Sequence, residues 1–303
     1  LWEKTRAESI VAECLGKPGI ATEESKPTTQ LSPLLFDLTS LQREANGRFG
    51  FSARATLGLA QALYEKHKVL TYPRTDSRAL PEDYLSTVKE TMQEFVGGKK
   101  GEEASTYAPF ARQILRQGWV RPNKRIFDDK KISDHFAIIP TLQMPRHLSE
   151  PEAKIYDLVV RRFLAVFYPA AEYLQTTRIT RIDSHAFKSE GKVLVSPGWL
   201  TVYGRTTQDE GATLPAVTPS EQVSTLDVHA DALQTKPPAR FSEATLLSAM
   251  EGAGKLVEDE ELRAAMDQKG LGTPATRAAV IEGLIREEYV LRNGRELMPT
   301  CLL

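Results

Sequence analysis

Only two cysteines, Cys14 and Cys301, occur in the 303 residues, too far apart to suggest a metal motif and too few for a disulfide framework. A reducing, cytoplasmic setting is therefore expected. No apolar run approaches the roughly 20 residues a membrane helix needs. The stretch Leu1 to Ile10 also lacks the apolar core of a signal peptide, so no membrane partner is expected. Excess charge is missing too: 39 Lys and Arg against 40 Asp and Glu leave a net charge of −1. Neutrality argues mildly against broad phosphate binding, although local patches coexist with it. Arg112, Arg116, Arg121, Lys124, Arg125, Lys130 and Lys131 form one such basic region, broken by Asp128 and Asp129. Internal repeats and long low-complexity tracts are absent. The length allows two or three domains with ample core.

What the chain does have is the run Leu70-Thr71-Tyr72-Pro73-Arg74-Thr75-Asp76-Ser77. If it is extended, Tyr72, Arg74 and Asp76 share one face, because side chains two apart point the same way. Pro73 favours that conformation, since it disfavours the α region at Tyr72 and offers no N–H. A phenol with a pKa of about 10 is ionised in only about one molecule in a thousand at pH 7. An adjacent Arg favours the phenolate and holds a phosphate oxygen. The trio suits attack by a tyrosine on a phosphodiester. A buried strand end with an incidental ion pair is the alternative reading of the trio alone.

Periodicity outlines the rest. Residues 1–15 read as a short helix and Gly16 to Leu31 as an extended segment. Helices are expected over Leu38 to Ala45, over Ser52 to Lys66 with Ser52 as N-cap, over Pro81 to Phe95, and over Glu152 to Phe167. Strands are expected at Tyr173 to Ile182, Phe187 to Val195 and Leu200 to Tyr203, with an exposed loop from Gln208 to Ser220. The acidic run Glu258 to Glu261 reads as a solvated helix face. Thr273-Pro274 opens a helix to Glu287 whose core side includes Ile281, Leu284 and Ile285. Tyr289 to Met298 reads as a hairpin about Asn293-Gly294.

Five separated stretches resemble the type IA DNA topoisomerases, most closely the topoisomerase III branch. The first is Pro33-Leu34-Leu35-Phe36-Asp37-Leu38-Thr39-Ser40-Leu41-Gln42, continued by Gly50-Phe51-Ser52-Ala53 and Ala60-Gln61-Ala62-Leu63-Tyr64-Glu65. The tyrosine run follows, then Asp134-His135-Phe136-Ala137-Ile138-Ile139-Pro140-Thr141. The last two are Pro237-Pro238-Ala239-Arg240-Phe241-Ser242-Glu243-Ala244 and Lys269-Gly270-Leu271-Gly272-Thr273-Pro274-Ala275-Thr276-Arg277-Ala278. One departure is Phe136, where such relatives often carry a second His. The family's Asp-x-Asp-x-Glu cluster for Mg²⁺ does not occur, so the chain is expected to be a fragment lacking the metal-binding (Toprim) domain.

The resemblance implies an α/β multidomain (α+β) fold, in which a helical tyrosine-bearing domain is inserted in a β-rich hinge. Residues 1–32 and 171–236 would form the hinge, 33–170 the tyrosine domain and 237–303 a helical DNA-groove segment. It implies transient cleavage of one DNA strand through a 5′-phosphotyrosine, with Tyr72 as nucleophile, Arg74 on the scissile phosphate and His135 nearby. Gln61, Glu65, Asp76, Arg240, Thr273, Thr276 and Arg277 match positions near the DNA. For Asp76, an orienting role is favoured over phosphate contact. Single-stranded or underwound DNA is the implied partner of a monomer, with Mg²⁺ bound outside this chain. A non-catalytic DNA-binding module, a scaffold without a DNA role and a tyrosine recombinase remain as alternatives.

Overall fold

A computed structural model describes residues 3–97, 105–206, 214–256 and 270–301, with 260, 263 and 266 between the last two. The chain is mixed α/β and forms two compact units. One joins Leu1–Ser32 to Pro169–Pro238, and the other joins Pro33–Tyr168 to Ala239–Leu303. Of the segment expected at 237–303, residues 239–303 cluster with the unit that carries Tyr72.

The first unit is a long antiparallel sheet preceded in sequence by one helix, α1 (Lys4–Cys14). Its strands are β1 (Pro18–Gln30), β2 (Ala171–Ile182), β3 (His185–Ser196) and β4 (Glu221–Ser224), in the order β3-β2-β1-β4. The β1–β2 ladder runs from Ile20↔Arg181 to Gln30↔Ala171. The chain therefore leaves the sheet after Gln30 and re-enters it at Ala171, with the whole tyrosine-bearing stretch in between.

Leu200 to Tyr203 is not a strand. It belongs to a 3₁₀ turn, Gly198–Tyr203, because Gly198 takes φ +48° where an added Cβ would lie 2.3 Å from the Ala170 carbonyl oxygen. Trp199 then fixes the turn, its indole N–H donating to the Gln30 carbonyl at 2.9 Å. Four residues of alternating apolarity do not distinguish such a turn from a strand.

The second unit is helical. Asp37 N-caps α2 (Leu38–Phe49), its carboxylate accepting from the Ser40 N–H, and Gly50 in the left-handed region ends the helix. Ser52 caps α3 (Ala53–Glu65) by accepting from the Ala55 N–H, as expected. The helix foreseen from Pro81 starts later: a 3₁₀ turn, Glu82–Tyr84, leads into α4 (Leu85–Gly97). Next comes α5 (Ala108–Gln117), which overlaps the basic region beginning at Arg112. Its Ala108, Ala111 and Ile114 are buried at a spacing of three residues. Ser149 and Glu152 form the capping box of α6 (Glu150–Ala165). Leu38, Leu41, Leu63, Ile155, Val159 and Phe163 of α2, α3 and α6 are wholly buried and make the core.

The late segment docks on the same helices. Its α7 (Glu243–Glu251) and α8 (Pro274–Arg286) share an apolar cluster, Leu247, Met250, Ala278 and Ile281, with Ala53 of α3. Leu284, expected inside, is exposed, while Ile285 packs against the cluster. The closing hairpin pairs β5 (Val290–Asn293) with β6 (Glu296–Pro299), and Asn293 faces Glu296. Its turn is therefore Gly294-Arg295, one residue later than expected, with Gly294 at φ +59°. Residues 208–213 of the expected loop, and Glu258, Asp259 and Glu261 of the acidic run, lie outside the described residues. Among those described, no helix is long and apolar enough to cross a membrane.

Candidate active site

Residues 71–79 form no helix or strand; they run extended between two isolated bridges, Leu70↔Pro140 and Leu80↔Phe127. The expected alternation is there. Pro73, Thr75, Ser77 and Ala79 are buried, whereas Tyr72, Arg74 and Arg78 are half-buried and Asp76 is exposed.

The inward hydroxyls clasp a second segment, residues 131–139. Thr71 donates to the Ala137 carbonyl at 3.0 Å and accepts from the Ile139 N–H at 2.9 Å. Thr75 donates to the His135 carbonyl at 2.7 Å and accepts from the Ser77 N–H at 3.0 Å. Ser77 donates to the Lys131 carbonyl at 2.8 Å. These bonds satisfy buried polar groups and lay the histidine motif beside the tyrosine motif.

Two side chains predicted to act together therefore meet: the ring centroids of Tyr72 and His135 are 4.3 Å apart. A third ring was not foreseen. Tyr64 on α3 packs edge-on against Tyr72, with centroids 5.4 Å apart and planes at 79°. Gln61 and Glu65, the α3 residues chosen from sequence, are half-buried and exposed respectively. No described hydrogen bond joins either of them to Tyr72. Phe136, at the departure from the family pattern, packs on Tyr84 instead, at 4.9 Å.

Asp76 accepts from the Ser133 hydroxyl at 3.1 Å, so its described partner lies in the histidine segment rather than at Arg74. Arg78, also missed, continues the outward row of 72, 74 and 76, which was the available signal. Its Nε donates to the Asp37 carboxylate at 2.6 Å and its Nη2 to Glu251 at 3.3 Å. Arg43 reaches Glu251 as well, at 3.4 Å. Two acids near the tyrosine run are thus already paired with arginines, and the expected basic region is partly neutralised where Lys124 meets Glu82 and Lys131 meets Asp128. Among the described residues no three His, Cys, Asp or Glu side chains form a metal-ligating group.

Of the late motifs, Thr273 and Thr276 are exposed at the start of α8, where the Thr276 hydroxyl accepts from the Thr273 N–H at 2.9 Å. Arg277 is buried. Its guanidinium donates to the carbonyls of Leu271 and Gly272 and to the Thr39 hydroxyl, at 3.1, 3.2 and 2.9 Å. Burial pushes its pKa below the ordinary arginine value, yet an arginine remains charged in a protein. Asp76, Ser133, Lys131, Thr273 and Arg277 line one cleft of about 500 Å³. Arg240 lies on exposed chain ahead of α7, with no described contact to Tyr72 or His135.

The sequence model of a family described as DNA topoisomerase matches residues 1–302. The chain belongs to that DNA topoisomerase family. DNA topoisomerase 3 of Bacillus subtilis is 40% identical over 94% of this chain and 40% of its own length. DNA topoisomerase 3 of Bacillus cereus is 41% identical over 91% of the chain and 38% of its own. This topoisomerase chain is therefore of the type IA, topoisomerase III-like kind and spans about two fifths of the curated relatives it matches. The fold is similar to that of full-length topoisomerase I from Thermotoga maritima, with a TM-score of 0.69 and 20% identity over 99% of this chain and 45% of that one.

Proposed function

We propose that this chain is the central or C-terminal part of a type IA topoisomerase that breaks and reseals one DNA strand through Tyr72. The observation that carries the proposal is the Tyr72 ring held against His135, with Arg74 on the same outward face, in a chain of this family. In the forward step the Tyr72 Oη–P bond forms and the bond from phosphorus to the 3′ oxygen breaks. The phenol proton is given up and the leaving 3′ oxygen takes one, so the exchange is balanced. The phosphodiester energy is kept in the phosphotyrosine, and the reverse step reseals the strand without ATP.

Arg74 is half-buried, so its charge acts on the scissile phosphate through less water than a surface cation would. Its planar fork suits two phosphate oxygens. His135 supplies a donor beside the same phosphate. Asp76 orients Ser133 and so the histidine segment. Gln61 and Glu65, one turn apart on α3, face the approaching strand. The exposed Thr273 and Thr276, at the start of α8, contact the DNA backbone through their hydroxyls. Arg240 adds a cation, and Arg277 serves the same contact by holding the turn at Leu271-Gly272.

Mg²⁺ would serve this activity from ligands outside the described residues. Asp37 and Glu251, the acids at Arg78, do not fit it, since both are bound by arginines, and no three acidic, His or Cys side chains among the described residues group as ligands. The ion would be held by a part of the enzyme outside these residues, and no step above is routed through it. The polarity of the covalent complex tests the reading. An oligonucleotide labelled on the 3′ side of the break should remain attached to the protein. Attachment of the 5′-side fragment would mean a 3′-phosphotyrosine and a recombinase-like reaction.

A further inference from the structure

We propose that Tyr64 is the positioning residue of the nucleophile, setting the direction of the Tyr72 hydroxyl through its ring. The proposal rests on the reading of Tyr72 given above. Among the described residues nothing hydrogen-bonds the Tyr72 hydroxyl, so its direction is set by what packs on the ring. The backbone beneath is already fixed. Thr71 is clasped by residues 137 and 139, and Leu38 N–H donates to the Thr75 carbonyl at 3.0 Å. What remains is rotation about the two side-chain bonds of Tyr72, and two rings limit it: His135 at 4.3 Å and Tyr64 at 5.4 Å.

Tyr64 is well placed to hold a neighbour still. It is the penultimate residue of α3, next to the wholly buried Leu63, on a helix whose first N–H donates to the buried Glu243 carboxylate at 2.7 Å. Beyond α3 the chain reverses at Lys68, a non-glycine residue at φ +59°. The Thr141 hydroxyl donates to the Lys68 carbonyl at 2.6 Å, and the Val69 N–H donates to Leu63 O at 2.9 Å. This clamped reversal brings Tyr72 back onto the helix it has just left. The contact is edge-on, the arrangement aromatic rings favour. The Lys68 ammonium sits 5.8 Å from the Tyr64 centroid, which further favours one ring placement.

The test is made in the full-length enzyme containing this chain, with single-turnover cleavage, single-stranded DNA affinity and thermal midpoint measured for each variant. Tyr64→Leu keeps apolar bulk but removes the ring. Its cleavage rate should fall about tenfold, equivalent to about 1.4 kcal/mol of barrier, with DNA affinity unchanged. Tyr64→Phe keeps the ring and should restore the wild-type rate. Should the Leu variant not fold, Tyr64→Met provides a second ring-free side chain, with the same fall expected. Wild-type cleavage by a folded Leu or Met variant would overturn the proposal, and so would a Phe variant as slow as Leu. A wild-type enzyme that forms no adduct at Tyr72 would instead overturn the functional reading on which the proposal rests.

Discussion

The Thr75 hydroxyl donates to the His135 carbonyl at 2.7 Å, and through that bond the imidazole comes to lie against Tyr72. One inward side chain of the tyrosine run thereby places the partner of one outward side chain. Thr75→Val keeps the shape but leaves the part-buried His135 carbonyl and the buried Ser77 N–H without their partner. Such a loss costs about 1–3 kcal/mol, and urea unfolding should show a lowered midpoint. Thr75→Ser, which retains the hydroxyl, should recover most of it.

His135 allows a cleaner separation of chemistry from folding. The fold uses its backbone carbonyl, whereas the proposed reaction uses its ring. His135→Ala should therefore leave the thermal midpoint close to wild type while slowing single-turnover cleavage by about 10²-fold or more, the lower end of what one preorganised hydrogen-bond donor to a developing charge contributes. A large fall in stability with unchanged cleavage would reverse the two roles.

Arg277 should behave in the opposite way. Its guanidinium serves Leu271, Gly272 and Thr39. Arg277→Ala should destabilise the protein by about 1–3 kcal/mol through the acceptors it strands. Weaker binding of single-stranded DNA should accompany the loss of the turn before α8. Thr276→Val gives the comparison, since it perturbs the same helix start without touching that clamp.

The tyrosine site was legible in the sequence to the extent that local patterns specify it. Alternation about Pro73 gave the outward row of Tyr72, Arg74 and Asp76, and the signals at Ser52 and Thr273 gave two helix starts correctly. Contacts between distant segments were not legible. Nothing in the spacing of Tyr64 says that the chain reverses at Lys68 and returns to it. Arg277 reads only as a residue near the DNA until the fold shows two carbonyls of its own turn within reach. The 3₁₀ turn at Gly198–Tyr203 escaped for a related reason, since it depends on the approach of the Ala170 carbonyl. The basic run hid α5, whose buried face is only three small or medium side chains.

Glu152 gives a pH-dependent test of the scaffold. Hydrogen bonds from the Ser149 hydroxyl and N–H, together with His67, hold its carboxyl down to about 2, below the ordinary carboxylate range. A lowered folded-state pKa contributes stability above the unfolded pKa and loses it as pH falls toward the folded one. Glu152→Gln should therefore be less stable than wild type near neutrality. The gap should narrow below the ordinary carboxylate pKa of about 4.3 and close near pH 2. Thermal midpoints of the two proteins across that range provide the check, and a gap independent of pH would remove the charge from the explanation.

The central claim is that the Tyr72 oxygen becomes bonded to DNA. Cleavage of an oligonucleotide by the full-length enzyme, followed by denaturation, nuclease trimming and trypsin, allows the modified peptide to be found by mass spectrometry. The predicted result is a nucleotide on the peptide from Val69 to Arg74, lost in Tyr72→Phe. A nucleotide on any other peptide, or an undiminished adduct in Tyr72→Phe, would contradict the account.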